Sequence, residues 1–140
     1  MDIKMMLSQD YDSVHDLWQN TPGLGLSDVD DSRESIGQFL RRNPSSCFVA
    51  MEEGGLAGTI LSGHDGRRGH IYHLAVHPDC RRRGIGQALV QAALNALKAE
   101  GITKVSLMVF KTNAGGNAFW ESQGFTIRDD LVYRNKSIQG

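Results

Sequence analysis

A mixed α/β fold of order βααβββαβαββ, with a central mixed sheet and helices on both faces, is predicted by three patterns in this 140-residue chain. Apolar residues fall at helical spacing in two early segments and again after residue 84. Strand-like runs separated by glycine-containing turns fill residues 47–77. A strand, a helix and a further strand then follow one another, as a parallel crossover requires.

Each element has its own signal. "IKMML" reads as an opening strand, and "SQDYDSVHDLWQN" places Val14, Leu17 and Trp18 on one helical face. "TPGLGLSDVDD", residues 21–31, is rich in turn formers and acids and reads as a loop. Ser32 is the expected N-cap of a second helix whose apolar stripe is Ile36, Phe39 and Leu40, ending at "RNPSS". "CFVAME", "LAGTILSG" and "HIYHLAVH", parted by "EGG" and "HDGRRG", suggest an antiparallel meander. Leu89, Ala92, Ala93, Ala96 and Leu97 define the third helix, with Gly101 as its stop and "KVSLMVF" as the next strand. "NAGGNAFWESQGF" reads as a short helix, and "TIRDDLVYRNK" as a final hairpin.

Composition sets bounds on function. At 40% hydrophobic and 22% charged, with no linker, repeat or low-complexity segment, residues 1–140 read as one domain large enough for a real core. Lysine and arginine number 15 against 16 acids, so no overall field draws the chain to nucleic acid or an anionic membrane. Cys47 and Cys80 have no metal-ligand or redox spacing, and the N-terminus lacks a signal-peptide core, so a reduced, cytoplasmic protein without metal or membrane is expected.

Against that neutral background, "HPDCRRRGIGQALV" stands out. It sets Arg81, Arg82 and Arg83 beside Gly84 and Gly86 at the start of a helix. A helix start presents unpaired N–H groups and a partial positive charge, glycines admit an anion close to them, and arginines add charged hydrogen bonds. A pyrophosphate needs that combination. A dinucleotide fingerprint would require glycine where Leu89 stands, and no Gly-Lys-Ser or Gly-Lys-Thr of a P-loop is present. A solvated turn and a salt-sensitive nucleic-acid contact are the other readings.

"LAVHPDCRRRGIGQALV" resembles motif A of the GNAT superfamily of acetyl-CoA-dependent N-acyltransferases: Arg81, two free positions, Gly84, one free position, Gly86. "TNAGGNAFWESQGF" is similar to the family's second landmark, with Asn113, Gly124 and Phe125 at the family spacing. The stretch from residue 58 to 89 looks most like the small bacterial YpeA-type acetyltransferases. The resemblance implies the GNAT acyl-CoA N-acyltransferase fold and acetyl-CoA as co-substrate. It also implies an acetyl group passed directly to a primary amine, of a small molecule or peptide, in a ternary complex. A homodimer through the last strands is part of this expectation, and nucleic acid is not. A coenzyme A-binding module without turnover is the alternative.

The same resemblance distributes roles. Leu74, Ala75 and Val76 would offer a strand edge to the pantetheine arm, with the Val76 N–H as oxyanion donor. Arg81, Arg82, Arg83, Gly84, Ile85, Gly86 and Gln87 would hold the pyrophosphate, with Asn113 and Trp120 also at the cofactor. The family often has glycine where this chain has Arg82, read here as added charge or a solvent-facing side chain. Simple strand alternation puts His70, Tyr72, Leu74 and Val76 on one face and Ile71, His73 and Ala75 on the other. His70 aligns with a base in several family members and is equally an exposed strand-start histidine. His73 is better assigned to packing or a buried hydrogen bond. Trp120 stands where the family commonly has a tyrosine acid, which leaves Tyr72, Tyr133 or water to protonate the thiolate. Asp28, Asp30 and Asp31, with His64 and Asp65, suggest a cationic amine acceptor.

Overall fold

Five strands form one sheet in the computed structural model, which describes residues 1–139. The strands are β1 (Asp2–Met5), β2 (Phe48–Glu52), β3 (Gly55–His64), β4 (Gly69–Val76) and β5 (Val105–Leu107). They lie in sequence order, antiparallel except for the parallel β4–β5 pair. The crossover between those two strands is helix α3 (Ile85–Ala99).

Helices α1 (Tyr11–Gln19) and α2 (Arg33–Arg42) cover one face of the sheet. Ser32 caps α2 as expected, its Oγ accepting the Ser35 N–H at 3.2 Å. Val14, Leu17, Trp18, Ile36 and Leu40 are buried there against Val49, Leu61 and Ala75. The opposite face receives α3 through Ile85, Leu89, Val90 and Ala93, which pack on Ala50, Ile60 and Ile71. A final helix, α4 (Ala114–Ser122), joins this second core through Phe119 and Trp120. No helix among the described residues is long and apolar enough to cross a membrane.

Two expectations need correction. Strand alternation fails in β4, because Leu61 faces His73 while the next residue, Ser62, faces Ile71, leaving Tyr72 as the extra residue of a β-bulge. The bulge shifts the pattern by one. Ile71 therefore joins Leu74 and Val76 on the α3 face, while Ala75 packs in the α1/α2 core. The final hairpin is also absent among the described residues, since residues 126–139 contain neither helix nor strand. A hairpin needs a receiving edge, and the last strand, β5, pairs over only Val105–Leu107 instead of running through Phe110.

Candidate active site

The functional geometry begins where β4 and β5 part. Their pairing covers Gly69–Ile71 against Val105–Leu107 and then stops, so β4 continues to Val76 with one edge unpaired. The His77 N–H donates to Ala57 O at 2.7 Å, toward β3. By alternation, the backbone groups of Leu74 and Val76 turn the other way, into the opening. Arg81 Nε confirms the direction for Val76, whose carbonyl oxygen it reaches at 3.3 Å.

The opening is an open cleft of about 2740 Å³, bounded by Leu74 to Val76, by the start of α3, and by Asn113, Phe119 and Trp120. At the start of α3, Gly84 occupies the N-cap position with φ 78° and supplies no side-chain cap, and the first turn has no acid. The first helical bond is Ala88 N–H to Gly84 O, at 3.0 Å. The N–H groups of Ile85, Gly86 and Gln87 therefore face the cleft with the positive end of the helix dipole.

The three arginines do not share one role. Arg81 and Arg82 line the cleft. Arg83 does not; its Nη1 lies 3.8 Å from Glu52 Oε1 and its Nη2 bonds to Asp79 O at 3.4 Å. Arg82 has φ 65°, the left-handed region that glycine favours, and is alone among the described non-glycine residues in this. Gly86 has a packing reason of its own: a Cβ there would stand 3.3 Å from the Phe119 ring, so its lack of side chain lets α4 close on α3.

Asn113 is the N-cap of α4, its Oδ1 accepting the Gly116 N–H at 2.9 Å. Trp120 packs edge-on between Phe119 and Phe125, with ring centroids 5.1 and 5.2 Å away. Both residues border the cleft. Tyr133 borders it from the irregular C-terminal segment and is exposed.

At the vertex of the fork sits His70, opposite Ser106 in the last but one β4–β5 pair. Its Nδ1 lies 3.1 Å from Ser106 Oγ, and its ring stands 4.5 Å from that of Tyr72. Burial lowers the His70 pKa below its ordinary value, so the imidazole is neutral near pH 7. Burial, with the charges of Asp65 and Asp30, raises that of Tyr72, which keeps the phenol protonated.

His73 points the other way. Its Nε2 meets Asp31 Oδ1 at 2.8 Å beneath the edge of Trp18, and Asp31 Oδ2 also accepts the Ser27 N–H at 2.8 Å. Burial pushes the Asp31 carboxyl up, but the hydrogen bonds from His73 and Ser27 hold it below its usual value. Asp31 is thus only 6% exposed and committed to the fold, and it is removed from the acidic set expected to meet a cationic acceptor. Asp28 and Asp30 are exposed and line neither this cleft nor the smaller pocket beside it.

That smaller pocket, about 480 Å³, holds His64 and Asp65 of the residues expected to meet the acceptor. Arg42, Asn43, His64 and Asp65 line it, and it shares Arg68, His70, Tyr72 and Ser106 with the cleft. Its two arginines were not anticipated, because "RRN" and "GRRG" mark a helix end and a turn equally well. Among the described residues, no group of His, Cys, Asp or Glu is arranged to hold a metal ion.

The family model described as "Acetyltransferase (GNAT) family" matches residues 11–125. An acetyltransferase of Sodalis glossinidius (strain morsitans) is 32% identical over 138 residues, covering 99% of this chain and 96% of that protein. Among solved structures, Ard1 from Thermoplasma volcanium superposes with a TM-score of 0.79 at 25% identity, over 91% of this chain and 83% of that one. The PaiA N-acetyltransferase from Thermoplasma acidophilum, solved in complex with coenzyme A, gives a TM-score of 0.78 at 20% identity, with 92% of each chain covered.

Proposed function

We propose, on the premise that this chain belongs to the acetyltransferase (GNAT) family, that it passes the acetyl group of acetyl-CoA to a primary amine by direct attack in a ternary complex. One observation carries the reading: the unpaired β4 edge at Leu74 and Val76 and the uncapped start of α3 border the same cleft. An elongated molecule with a polar amide arm and a pyrophosphate fits that arrangement of donors. The fold shared with the coenzyme A-bound PaiA structure supports it.

Acetyl-CoA supplies an electrophilic thioester carbonyl. The backbone of Leu74 and Val76 orients the pantetheine arm, and the Val76 N–H donates to the oxygen on which negative charge develops. The N–H groups of Ile85, Gly86 and Gln87 receive the pyrophosphate, with Arg81 and Arg82 adding charge; Arg83 is left to its contact with Glu52. His70 takes the proton from the incoming ammonium, directly or through water. If Ser106 accepts from His70 Nδ1, the Nε2 lone pair is the one presented. Ser106 is then a positioning residue. Tyr72 remains the nearer proton donor for the leaving thiolate, because its ring already stands beside His70 at the vertex. Trp120 holds the aromatic wall of the cleft and carries no proton.

We also place the protein in the cytoplasm, supported by two free thiols, of which Cys47 is buried with its pKa pushed up to about 12. A homodimer through the C-terminal segment completes the proposal. The test is calorimetric titration with acetyl-CoA and coenzyme A, followed by thiol release across a panel of amines. Micromolar binding with amine-dependent release is the expected result. Binding without release from any amine would instead favour a coenzyme A-binding module, and no binding to folded protein would remove both readings.

A further inference from the structure

We infer that the acceptor amine carries an oxyanion, a carboxylate or a phosphate, which Arg42 and Arg68 receive in the small pocket beside His70. This rests on the acetyltransferase reading above and names the substrate class for the same site.

The pocket and the cleft meet at Arg68, His70, Tyr72 and Ser106, so a molecule occupying the pocket reaches the proposed base. Its charge is unevenly spent. Asp65 Oδ1 accepts the N–H groups of Arg67 and Arg68, each at 2.8 Å. Glu100 Oε2 is held by Ser45 Oγ at 3.2 Å and by His64 Nε2 at 3.4 Å. His64 Nδ1 accepts the Gly66 N–H at 2.8 Å, so the proton of a neutral ring sits on Nε2, toward Glu100. Asn43 Oδ1 accepts the His64 N–H at 3.0 Å.

The guanidinium groups of Arg42 and Arg68 make no ion pair or hydrogen bond among the described residues. Two free forks on one small pocket suit the two oxygens of a carboxylate or the three of a phosphate. On the same pocket wall Phe39 meets Tyr72 edge-on at 5.4 Å, an apolar surface for a short spacer. The complementary molecule is an oxyanion, a few carbons and an amine. A polyamine would bring positive charge to two unpaired guanidiniums, and the pocket wall offers one carboxylate against it, Asp65, whose Oδ1 is already held by two backbone N–H groups.

The experiment compares matched amines by calorimetry in saturating coenzyme A, which occupies the Arg81 and Arg82 region so that an anion bound there is not counted. Phosphoethanolamine is set against ethanolamine, and lysine against cadaverine, for the wild type and for the R42Q/R68Q double variant. Both positions are exposed and unpaired, and because Arg68 also borders the cleft, a thermal melt verifies that the variant is folded. The expected result is at least tenfold tighter binding of one anionic member over its partner, with that preference lost in R42Q/R68Q. Equal or tighter binding of ethanolamine and cadaverine overturns the inference, as does the absence of saturable binding by both anionic members. A preference that survives R42Q/R68Q overturns the assignment to these arginines. Failure of coenzyme A itself to bind is a different outcome: it removes the acetyltransferase reading and this inference with it.

Discussion

At the scale of single residues, the proposed chemistry depends on His70 being neutral. Burial lowers its pKa, so kcat/KM should rise with pH through a midpoint below the ordinary histidine value of about 6.5. His70→Gln should remove that limb and reduce kcat/KM by about a hundredfold or more. An unaltered pH profile in this variant would take the base role from His70. Ser106→Ala should move the limb while leaving the KM for acetyl-CoA in place; a purely structural role for the hydroxyl would move neither. Arg82 allows a different prediction. A non-glycine residue at φ 65° costs about 1–2 kcal/mol, so Arg82→Gly should raise Tm by a few degrees. If the guanidinium also meets phosphate, the same variant binds acetyl-CoA more weakly, and the two readouts move in opposite directions.

At the scale of elements, two contacts hold the cleft's walls, and they fail differently. The Asp31–His73 bond fixes the loop between α1 and α2 onto β4. Because the folded Asp31 pKa is depressed, its contribution is complete above the unfolded carboxylate value of about 3.9 and is lost as pH falls through the lower folded value. Asp31→Ala should therefore cost about 1–3 kcal/mol at pH 7 and flatten that acid-side loss, read from thermal melts at pH 7 and pH 3. The second contact is Gly86 against Phe119. Gly86→Val should weaken acetyl-CoA binding and lower stability by about 1–3 kcal/mol through overpacking. Adding Phe119→Leu makes room: recovery of stability alone would mean that the valine blocks the pyrophosphate, whereas recovery of affinity too would mean that only α4 had moved. The sequence made much of this legible, because the cap at Ser32, the α3 stripe and the crossover are local patterns. The bulge at Tyr72 was not, since it arises from how β4 meets β3 and leaves no residue signature. The small pocket was legible only at His64 and Asp65: Arg42 and Arg68 are 26 positions apart and are brought to one site only by the packing of α2 beside the β3–β4 turn.

For the whole molecule, the open question of assembly lies at the C-terminal segment. "TIRDDLVYRNK" has strand-like composition, yet residues 126–139 are irregular and leave Ile127, Leu131, Val132, Tyr133 and Ile138 exposed. Beside them the sheet ends at β5, an edge strand, with Met108 and Phe110 exposed just beyond it. Strand propensity is realised only where a neighbouring edge accepts the hydrogen bonds, which explains why local reading anticipated a hairpin here. Apolar side chains left together beside an unpaired edge are the usual mark of an interaction surface, and a second copy provides the same surface to each partner. Sedimentation velocity over a concentration series should therefore show a dimer, and an Ile138→Asp variant, changed at a residue that lines no part of the cleft, should sediment as a monomer that still binds acetyl-CoA. A monomer at every concentration would sink the dimer and leave this segment as a solvated tail. Loss of acetyl-CoA binding in the monomeric variant would make assembly part of the active site, because Tyr133 and its neighbours close the outer wall of the cleft.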